Sequence, residues 1–193
     1  MADVDEWIEV NVLPAGEARM RLLLEVVDPL VHEQLAGEID TWFYFWEPEL
    51  RLRLRWRDPQ RADENRATVA RILDSAQAEG LLDDWYEGNH GNRGDTYRGE
   101  ADFYGVEVWG LVARDWMSGS ELALAITRAD SAGGLTKPPS FHWQRRVHLF
   151  SNQLSLDEVP LCLFQARGYL RMRNADDPLS GEVMRAIERF LAA

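Results

Sequence analysis

Four arginines alternate with apolar residues over positions 50–57, and this segment is the first candidate for binding an anion. If the segment is a β-strand, its period of two places all four arginines on one face. The opposite face then carries Leu50, Leu52, Leu54 and Trp56. Like charges on adjacent sites repel one another unless an anion answers them. We therefore predict a face that binds a carboxylate, with Arg53 and Arg55 at a pocket. The alternative is an edge or solvent-facing strand whose outward charges discourage pairing with other strands.

A histidine in the second half of the chain can supply acid–base chemistry near neutral pH. In the helix that the apolar spacing predicts over about 141–153, Arg145, His148 and Asn152 share the polar side, at steps of three and four. Such a side is either solvated or lines a pocket. In the second case His148 can act as an acid or a base.

The other common catalytic and binding patterns are missing from the sequence. The four histidines and the single cysteine, Cys162, show no metal-ligand spacing, and no serine lies in a Gly-x-Ser-x-Gly turn. The glycine-rich segment 88–99 matches no nucleotide-binding motif. We therefore expect neither a metal nor another cofactor.

Charge and composition limit the partners and the location. The net charge of −12 repels a phosphate backbone, so we expect no direct contact with nucleic acid. No apolar run approaches the roughly 18 residues of a membrane-spanning helix, and the acidic start has no signal-peptide pattern. Cys162 lies in an apolar run, as is typical of a core residue in a reducing compartment. We expect a cytoplasmic protein that does not bind membranes.

The elements that must position these residues follow from apolar periodicity. Strands are predicted over about 7–13, 42–46, 50–57 and 81–87, with a loop over 88–95. Helices are predicted over about 17–35 with a kink at Pro29, over 61–79, and over 103–129 with a break near Ser118 and Gly119. After a flexible connection at 132–140, three more helices are predicted over about 141–153, 157–173 and 180–191. The expectation is a single α+β domain, 1–193, with an early antiparallel sheet and a mainly helical C-terminal half.

Residues 40–55 resemble a signature of lantibiotic dehydratases and thiopeptide-type bacteriocin biosynthesis proteins. In that family an aromatic strand runs into Asp-Pro-x-x-His-Leu-Arg-Leu-Arg. Here Arg51 stands at the histidine position, and Arg53 and Arg55 stand at the paired arginines. The resemblance continues in the same order through most of the chain.

Three later segments carry the rest of the resemblance. Residues 97–105 resemble the family's Tyr-x-Pro-Glu-x-x-Arg-Tyr-Gly, which aligns Glu100 and Tyr104 with its glutamate and second tyrosine. Residues 119–124 resemble an Asp-Ser-rich helix start. Residues 148–154 resemble His-x-x-x-Asn-Arg-Leu, with His148 and Asn152 in place.

The resemblance implies that the protein expels glutamate from glutamylated Ser or Thr of a precursor peptide, leaving dehydroalanine or dehydrobutyrine. It implies Arg53 and Arg55 as holders of the departing carboxylate, with His148 as proton carrier. It implies that Glu100 orients an arginine or takes part in proton transfer. The substrate contacts expected beside these catalytic residues are Arg51, Tyr104, Arg145 and Asn152.

Departures from the family pattern keep two alternatives open. The second motif's arginine is Phe103 here, its proline is Gly99, and Gln153 follows Asn152. One alternative is the pyridine synthase branch, which joins two dehydroalanines in a formal aza-[4+2] cycloaddition and releases the leader peptide. The other is a non-catalytic domain that binds or escorts the peptide. The expected partners are a precursor peptide with leader and core, a separate glutamylation protein and, as a further option, a second copy of the chain.

Overall fold

The computed structural model of the chain describes residues 6–46 and 49–137. The chain divides into two compact units, 1–134 and 135–193, and the elements below belong to the first. The strands are β1 (Trp7–Pro14), β2 (Ile39–Trp46), β3 (Leu50–Trp56), β4 (Leu82–Asn89) and β5 (Asn92–Arg93). The helices are α1 (Arg19–Arg21), which continues into π-helical stretches at Leu22–Val27 and Leu30–Gln34, then a 3-10 turn (Pro59–Arg61), α2 (Ala62–Ala78), α3 (Ala101–Tyr104) and α4 (Val106–Ser131).

The three helices predicted beyond residue 140 lie outside the described residues, and the single domain over 1–193 stays a prediction.

Five antiparallel strands form one sheet in the order β2-β3-β1-β4-β5. The arginine-bearing segment is β3, and it pairs with β2 on one side and β1 on the other. It is therefore an interior strand, and the edge-strand alternative is wrong. The predicted α+β class with an antiparallel sheet early in the chain is confirmed.

The apolar face of β3 forms the centre of the main hydrophobic core. Leu50, Leu52, Leu54 and Trp56 are each at most 2% exposed, as the alternation predicted. Residues of the two π-helical stretches and of α2 pack on this face of the sheet. Since burying one large aliphatic side chain contributes about 1.5–3 kcal/mol, this face fixes the register of β3 and forces its arginines to the other side.

Pro29 does not break the helix that begins at Arg19. The backbone N–H groups of Asp28 and Leu35 donate to carbonyls five residues earlier, at Leu23 and Leu30. Such widened turns accommodate a residue that lacks an N–H and clashes with the carbonyl four positions back. The chain therefore stays helical through π-helical turns to Gln34 and does not divide into two separate helices at Pro29, whereas the kink stays a prediction.

The segment predicted as a loop at 88–95 contains the tip of a hairpin instead. β4 runs to Asn89 and pairs with the two-residue strand β5. The two residues between them, His90 and Gly91, have φ values of +50° and +81°. Positive φ at both central positions is the geometry of a type I′ turn, which matches the twist of paired strands. The hairpin tip therefore has a defined position above the arginine face.

The helix break predicted near Ser118 lies at Gly105 instead. Gly105 has a φ of +85° and separates α3 from α4, while α4 runs unbroken from Val106 to Ser131. Inside α4 the hydroxyls of Ser118 and Ser120 donate to the carbonyls of Arg114 and Trp116. This intrahelical bonding satisfies the hydroxyls without interrupting the helix. Among the described helices, none combines the length and hydropathy needed to cross a membrane.

Helix α4 covers the free edge of β2 and is tied to the first helical segment. The N–H of Tyr44 donates to Ser120 Oγ at 3.1 Å, so one donor of the edge strand is satisfied by the helix. His32 bridges Asp28 through Nδ1 at 2.6 Å and Glu121 through Nε2 at 3.0 Å. Arg128 also binds Asp28, at 2.6 Å. We call these four residues the His32 clamp.

The His32 clamp makes stability depend on pH. Burial opposes protonation of His32, but its bonds to Glu121 and Asp28 outweigh burial and raise its pKa. A histidine whose pKa is raised on folding stabilises the fold below its unfolded pKa, and this contribution is lost as pH rises through the folded pKa.

We predict that His32→Gln lowers the free energy of unfolding by roughly 1 kcal/mol at pH 5.5, since two partly exposed ion pairs are lost. At pH 8.5 the loss should be smaller, because the wild-type histidine has already given up its charge. Urea unfolding at the two pH values measures the difference. An equal loss at both would show that His32 acts by packing against Trp42 and not by charge.

Candidate functional site

The second face of the sheet carries a row of charges beside a smaller, mainly aromatic core that includes Trp7 and Phe43. Glu9 of β1 and Phe43 of β2 lie directly opposite Arg53 of β3 on its two sides. Arg53 is only 2% exposed and Glu9 only 1% exposed. A loop after β5, together with α3 and the first half of α4, supplies the aromatic residues that cover them.

Each of the three guanidinium nitrogens of Arg53 meets a different side chain. Nε donates to Glu9 Oε2 at 2.8 Å, and Nη1 donates to Glu100 Oε1 at 2.5 Å. Nη2 lies 3.1 Å from His90 Nδ1. A planar, permanently charged fork is the side chain suited to hold several acceptors at fixed angles. We call Glu9, Arg53, His90, Tyr97 and Glu100 the Arg53 cluster.

Aromatic rings enclose the same guanidinium. Its central carbon lies 4.5 Å from the ring centroid of Tyr97, 5.5 Å from that of Phe45 and 5.7 Å from that of Phe43. Rings at these distances attract a cation through their negative faces and exclude water. Electrostatic interactions inside the cluster are therefore less screened than those at the surface.

Glu9 is held as a carboxylate in this enclosure. Burial opposes its ionisation, but the charge of Arg53 and the hydrogen bond from the Gly91 N–H together outweigh burial and lower the pKa of Glu9. Gly91 N donates to Glu9 Oε1 at 3.1 Å, and Asn11 Nδ2 donates to the same oxygen at 3.2 Å. The turn at His90–Gly91 is thus anchored to the carboxylate that binds Arg53.

Tyr97 closes the cluster from the loop after β5. Its hydroxyl is buried and has no hydrogen-bond partner among the described residues. Burial raises the pKa of Tyr97, so the hydroxyl stays protonated. Tyr97 and Glu9 also line a cavity of about 220 Å³, together with Arg66 and Glu87.

Glu100 is positioned by a glycine that lies against two tryptophans. Gly99 has a φ of +80°, and a Cβ there would lie 2.7 Å from Trp109 Nε1 and 3.3 Å from Trp7 Nε1. Proline, with φ fixed near −65°, cannot adopt this conformation. The departure from the family's proline at this position therefore goes with a different backbone path. Directly afterwards, the Glu100 carbonyl accepts from the N–H groups of Phe103 and Tyr104 at the start of α3.

The position of the family's second-motif arginine is exposed. Phe103 is 82% exposed, and its ring meets Tyr104 edge-on at 4.9 Å. Tyr104 stacks on Trp109 and lies next to the Arg53 cluster, where burial and the charge of Glu100 raise its pKa. Arg98 and Arg114, the two arginines that could substitute for the missing cation, are both exposed.

The other two predicted arginines of β3 bind different acids. Arg51 pairs with Glu49 at 3.2 Å. Arg55 pairs with Glu6 at 3.4 Å and with Asp40 at 3.3 Å, and its side chain is 36% exposed. Carboxylates of the chain itself therefore offset the repulsion between the arginines of β3, and no external anion is required.

The structure brings Arg53, Glu100 and Tyr104 together and places Arg51 and Arg55 beside them on the same strand face. His148, Arg145 and Asn152 lie outside the described residues. The sequence reasoning missed Glu9, His90 and Tyr97. Two signals pointed to Glu9 and His90: Glu9 and Asn11 interrupt an otherwise apolar strand on one face, and Asn-His-Gly-Asn is the composition of a tight hairpin turn.

Within residues 6–46 and 49–137, no group of three histidine, cysteine or acidic side chains is arranged to hold a metal ion. The cluster combines one buried cation, two carboxylates and an imidazole. Such a set can polarise a substrate, stabilise a developing anion and transfer protons.

Comparison with known proteins identifies one family. The family model described as lantibiotic biosynthesis dehydratase C-term matches residues 7–190, which is nearly the whole chain. Among the curated proteins, none matches the chain.

We predict that Arg53→Met lowers the free energy of unfolding by roughly 3–5 kcal/mol at pH 7, because removing one partner leaves buried carboxylates without a cation. Without the charge of Arg53, burial should raise the pKa of Glu9. Protonation of Glu9 then relieves the penalty as pH falls, whereas the wild type loses stability as pH falls through its lowered Glu9 pKa. The difference between the two proteins should therefore be smaller at pH 4.5.

Arg55→Met is the matched control on the same strand face. Its ion pairs are longer and partly exposed, so its cost should stay below roughly 1 kcal/mol. Denaturant unfolding of the wild type, Arg53→Met and Arg55→Met at pH 7 and pH 4.5 measures the two costs in free energy of unfolding. Equal costs for the two variants would rule out a special contribution from Arg53.

Proposed function

The chain belongs to the lantibiotic biosynthesis dehydratase C-terminal family, and on that premise we propose that it eliminates glutamate from glutamylated Ser or Thr residues of a precursor peptide. The family connects the chain with the maturation of ribosomally synthesised peptides. The products would be dehydroalanine or dehydrobutyrine and free glutamate. A separate protein would supply the glutamylated substrate.

One observation carries the proposal. The 2.5 Å bond between Arg53 and Glu100 joins two motifs that lie 47 residues apart and that resemble the family independently. A strand residue and a loop residue are thus held together inside an aromatic enclosure. Buried charges of this kind are costly to maintain, and strongly interacting titratable groups are enriched at functional sites.

The reaction sets clear demands on the site. A base removes the proton from the α-carbon, and the electron pair forms the double bond between the α- and β-carbons. The bond from the β-carbon to the ester oxygen breaks, and glutamate leaves with that electron pair as a carboxylate. The site must therefore accept one proton and stabilise negative charge first on the substrate and then on the leaving group. The base remains the sequence-based prediction His148.

Glu100 is the member of the cluster that can respond to the substrate. Two carboxylates share the single charge of Arg53, so an approaching carboxylate meets a net negative site while Glu100 stays in place. Glu9 is fully enclosed, whereas the Glu100 side chain is 14% exposed. We assign Glu100 as the group that releases Nη1 of Arg53 and takes up from the base the proton removed from the α-carbon. Arg53 is the residue that positions Glu100.

The remaining predicted contacts fit the approach to the cluster. Arg55 has a partly exposed side chain with long ion pairs, so it can bind a carboxylate at little cost. Arg51 lies two residues before Arg53 on the same face, and Tyr104 lies beside Glu100. We assign Arg51 and Tyr104 to peptide binding, and Arg55 to holding the departing carboxylate.

A second candidate function is favoured by Phe103. An exposed phenylalanine in place of the family's arginine removes one cation and adds an apolar surface next to Tyr104. A cycloaddition of two dehydroalanines depends on holding two alkenes together, and it needs fewer charged groups. This candidate predicts activity on an already dehydrated peptide only.

Mass spectrometry of two peptides separates the functions. With a glutamylated peptide, we expect loss of one glutamic acid per modified residue. Glu100→Gln should lower kcat roughly 10²-fold, because the amide cannot carry a proton. Glu25→Gln is the control, since this glutamate pairs with Arg21 on the exposed first helix.

Conversion of only the dehydrated peptide, with loss of its leader, would contradict elimination and indicate cycloaddition as the function. Binding of either peptide without any change in the peptide's mass would indicate a non-catalytic escort domain. Full activity of Glu100→Gln would remove Glu100 from the mechanism.

A further inference from the structure

His90 occupies a fixed position at the tip of the β4–β5 hairpin. It is the one non-glycine residue with a positive φ in the described part of the chain. The neighbouring Gly91 is held on both sides: its N–H donates to Glu9 Oε1 at 3.1 Å, and its carbonyl accepts from the Tyr86 hydroxyl at 3.0 Å. A Cβ at Gly91 would lie 2.9 Å from both Arg51 Nη2 and Glu49 Oε1, so the turn sits tightly on the arginine face. The backbone therefore places the imidazole with little freedom.

The contact with Arg53 defines the orientation of the imidazole. His90 Nδ1 lies 3.1 Å from Arg53 Nη2, and the ring meets Tyr97 edge-on with centroids 6.1 Å apart. A guanidinium has only donors. Nδ1 must therefore accept the hydrogen bond, which places the ring's proton on Nε2. In this contact His90 presents Nδ1 to Arg53, and its Nε2–H points away from the guanidinium.

His90 is also the accessible member of the cluster. Arg53 and Glu9 are buried and Glu100 is largely covered, whereas His90 is exposed. Arg53 contacts Nδ1 of His90, and Tyr97 contacts its ring. Among the described residues, none accepts a hydrogen bond from Nε2–H. A donor that is fixed by the protein and open to the outside is the arrangement that stabilises an anion formed on a bound substrate.

We propose that His90 is a further catalytic residue, whose Nε2–H donates a hydrogen bond to the peptide carbonyl oxygen on which negative charge develops. This inference rests on the proposed elimination. When the base takes the α-proton, the electron pair spreads onto the adjacent carbonyl oxygen. When it returns, the double bond forms and glutamate leaves as a carboxylate. His90 neither gains nor loses a proton in this sequence. Arg53 acts through His90 as a positioning residue.

Two substitutions separate the two nitrogens of the ring. His90→Asn keeps an acceptor near the Nδ1 position and suits the turn, because Asn-Gly is the favoured type I′ pair. It cannot reach as far as Nε2. His90→Gln extends an amide donor toward the Nε2 position but gives up the bond at Nδ1. Circular dichroism and thermal unfolding check that both variants fold.

We expect His90→Asn to lower kcat for glutamate release about 10²–10³-fold with little change in KM, as for loss of one oxyanion donor. His90→Gln should stay at least about tenfold more active than His90→Asn. If His90→Asn is as active as the wild type, or His90→Gln is no better than His90→Asn, the inference is overturned. His32→Gln, assayed at pH 8.5, serves as a control for loss of a histidine outside the cluster.

The same experiment separates failure of this inference from failure of the proposed function. A wild-type protein that releases no glutamate from the glutamylated peptide overturns the elimination itself. A wild-type protein that releases glutamate while both His90 variants match it overturns only the role of His90.

Discussion

The described unit depends on the interactions of one buried group, the guanidinium of Arg53. It is buried between Glu9 and Glu100, and it faces three aromatic rings and one imidazole. Burying charges is costly unless each is paired and hydrogen-bonded. Every element that surrounds Arg53 therefore has to be in place together: two strands, a hairpin tip and the loop that ends at α3. This mutual dependence makes the cluster a precise assembly of strongly interacting titratable groups, the kind that is enriched at functional sites.

The sheet topology explains how a cation comes to lie in the interior. The leucines on the other face of β3 form the aliphatic core. Because side chains alternate along a strand, the arginines must lie on the opposite face. Because β3 is an interior strand, its neighbours β1 and β2 present Glu9 and Phe43 directly opposite Arg53. On either side of Arg53, the Arg51 side chain is 14% exposed and the Arg55 side chain 36% exposed, and they bind Glu49 and Glu6. The strand thus holds a fully buried arginine between two partly buried ones.

Local patterns in the sequence predicted the sheet well, but they predicted the site only in part. The alternation at 50–56 determined both faces of β3, and the family motifs singled out Arg53 and Glu100. Glu9 and His90 escaped because a single charge in an apolar strand and a histidine in a glycine-rich segment look like surface residues. The composition of the turn indicates a hairpin, but the contacts of Glu9 and His90 with Arg53 depend on the registers of β1 and β4, which no local pattern reports. The π-helical passage through Pro29 was missed for a similar reason, since its alternative hydrogen bonds depend on packing.

The central claim is that the geometry of Arg53, and not its charge alone, organises Glu100 and His90. Arg53→Lys tests it most directly, because lysine keeps the positive charge but cannot bind Glu9, Glu100 and His90 at fixed angles. The measurement is the rate of glutamate release from a glutamylated peptide, compared with the wild type at equal folded fraction. We predict a loss of roughly 10²-fold or more in kcat, the size expected when one positioned donor is misplaced. A lysine variant that releases glutamate at the wild-type rate would contradict the account.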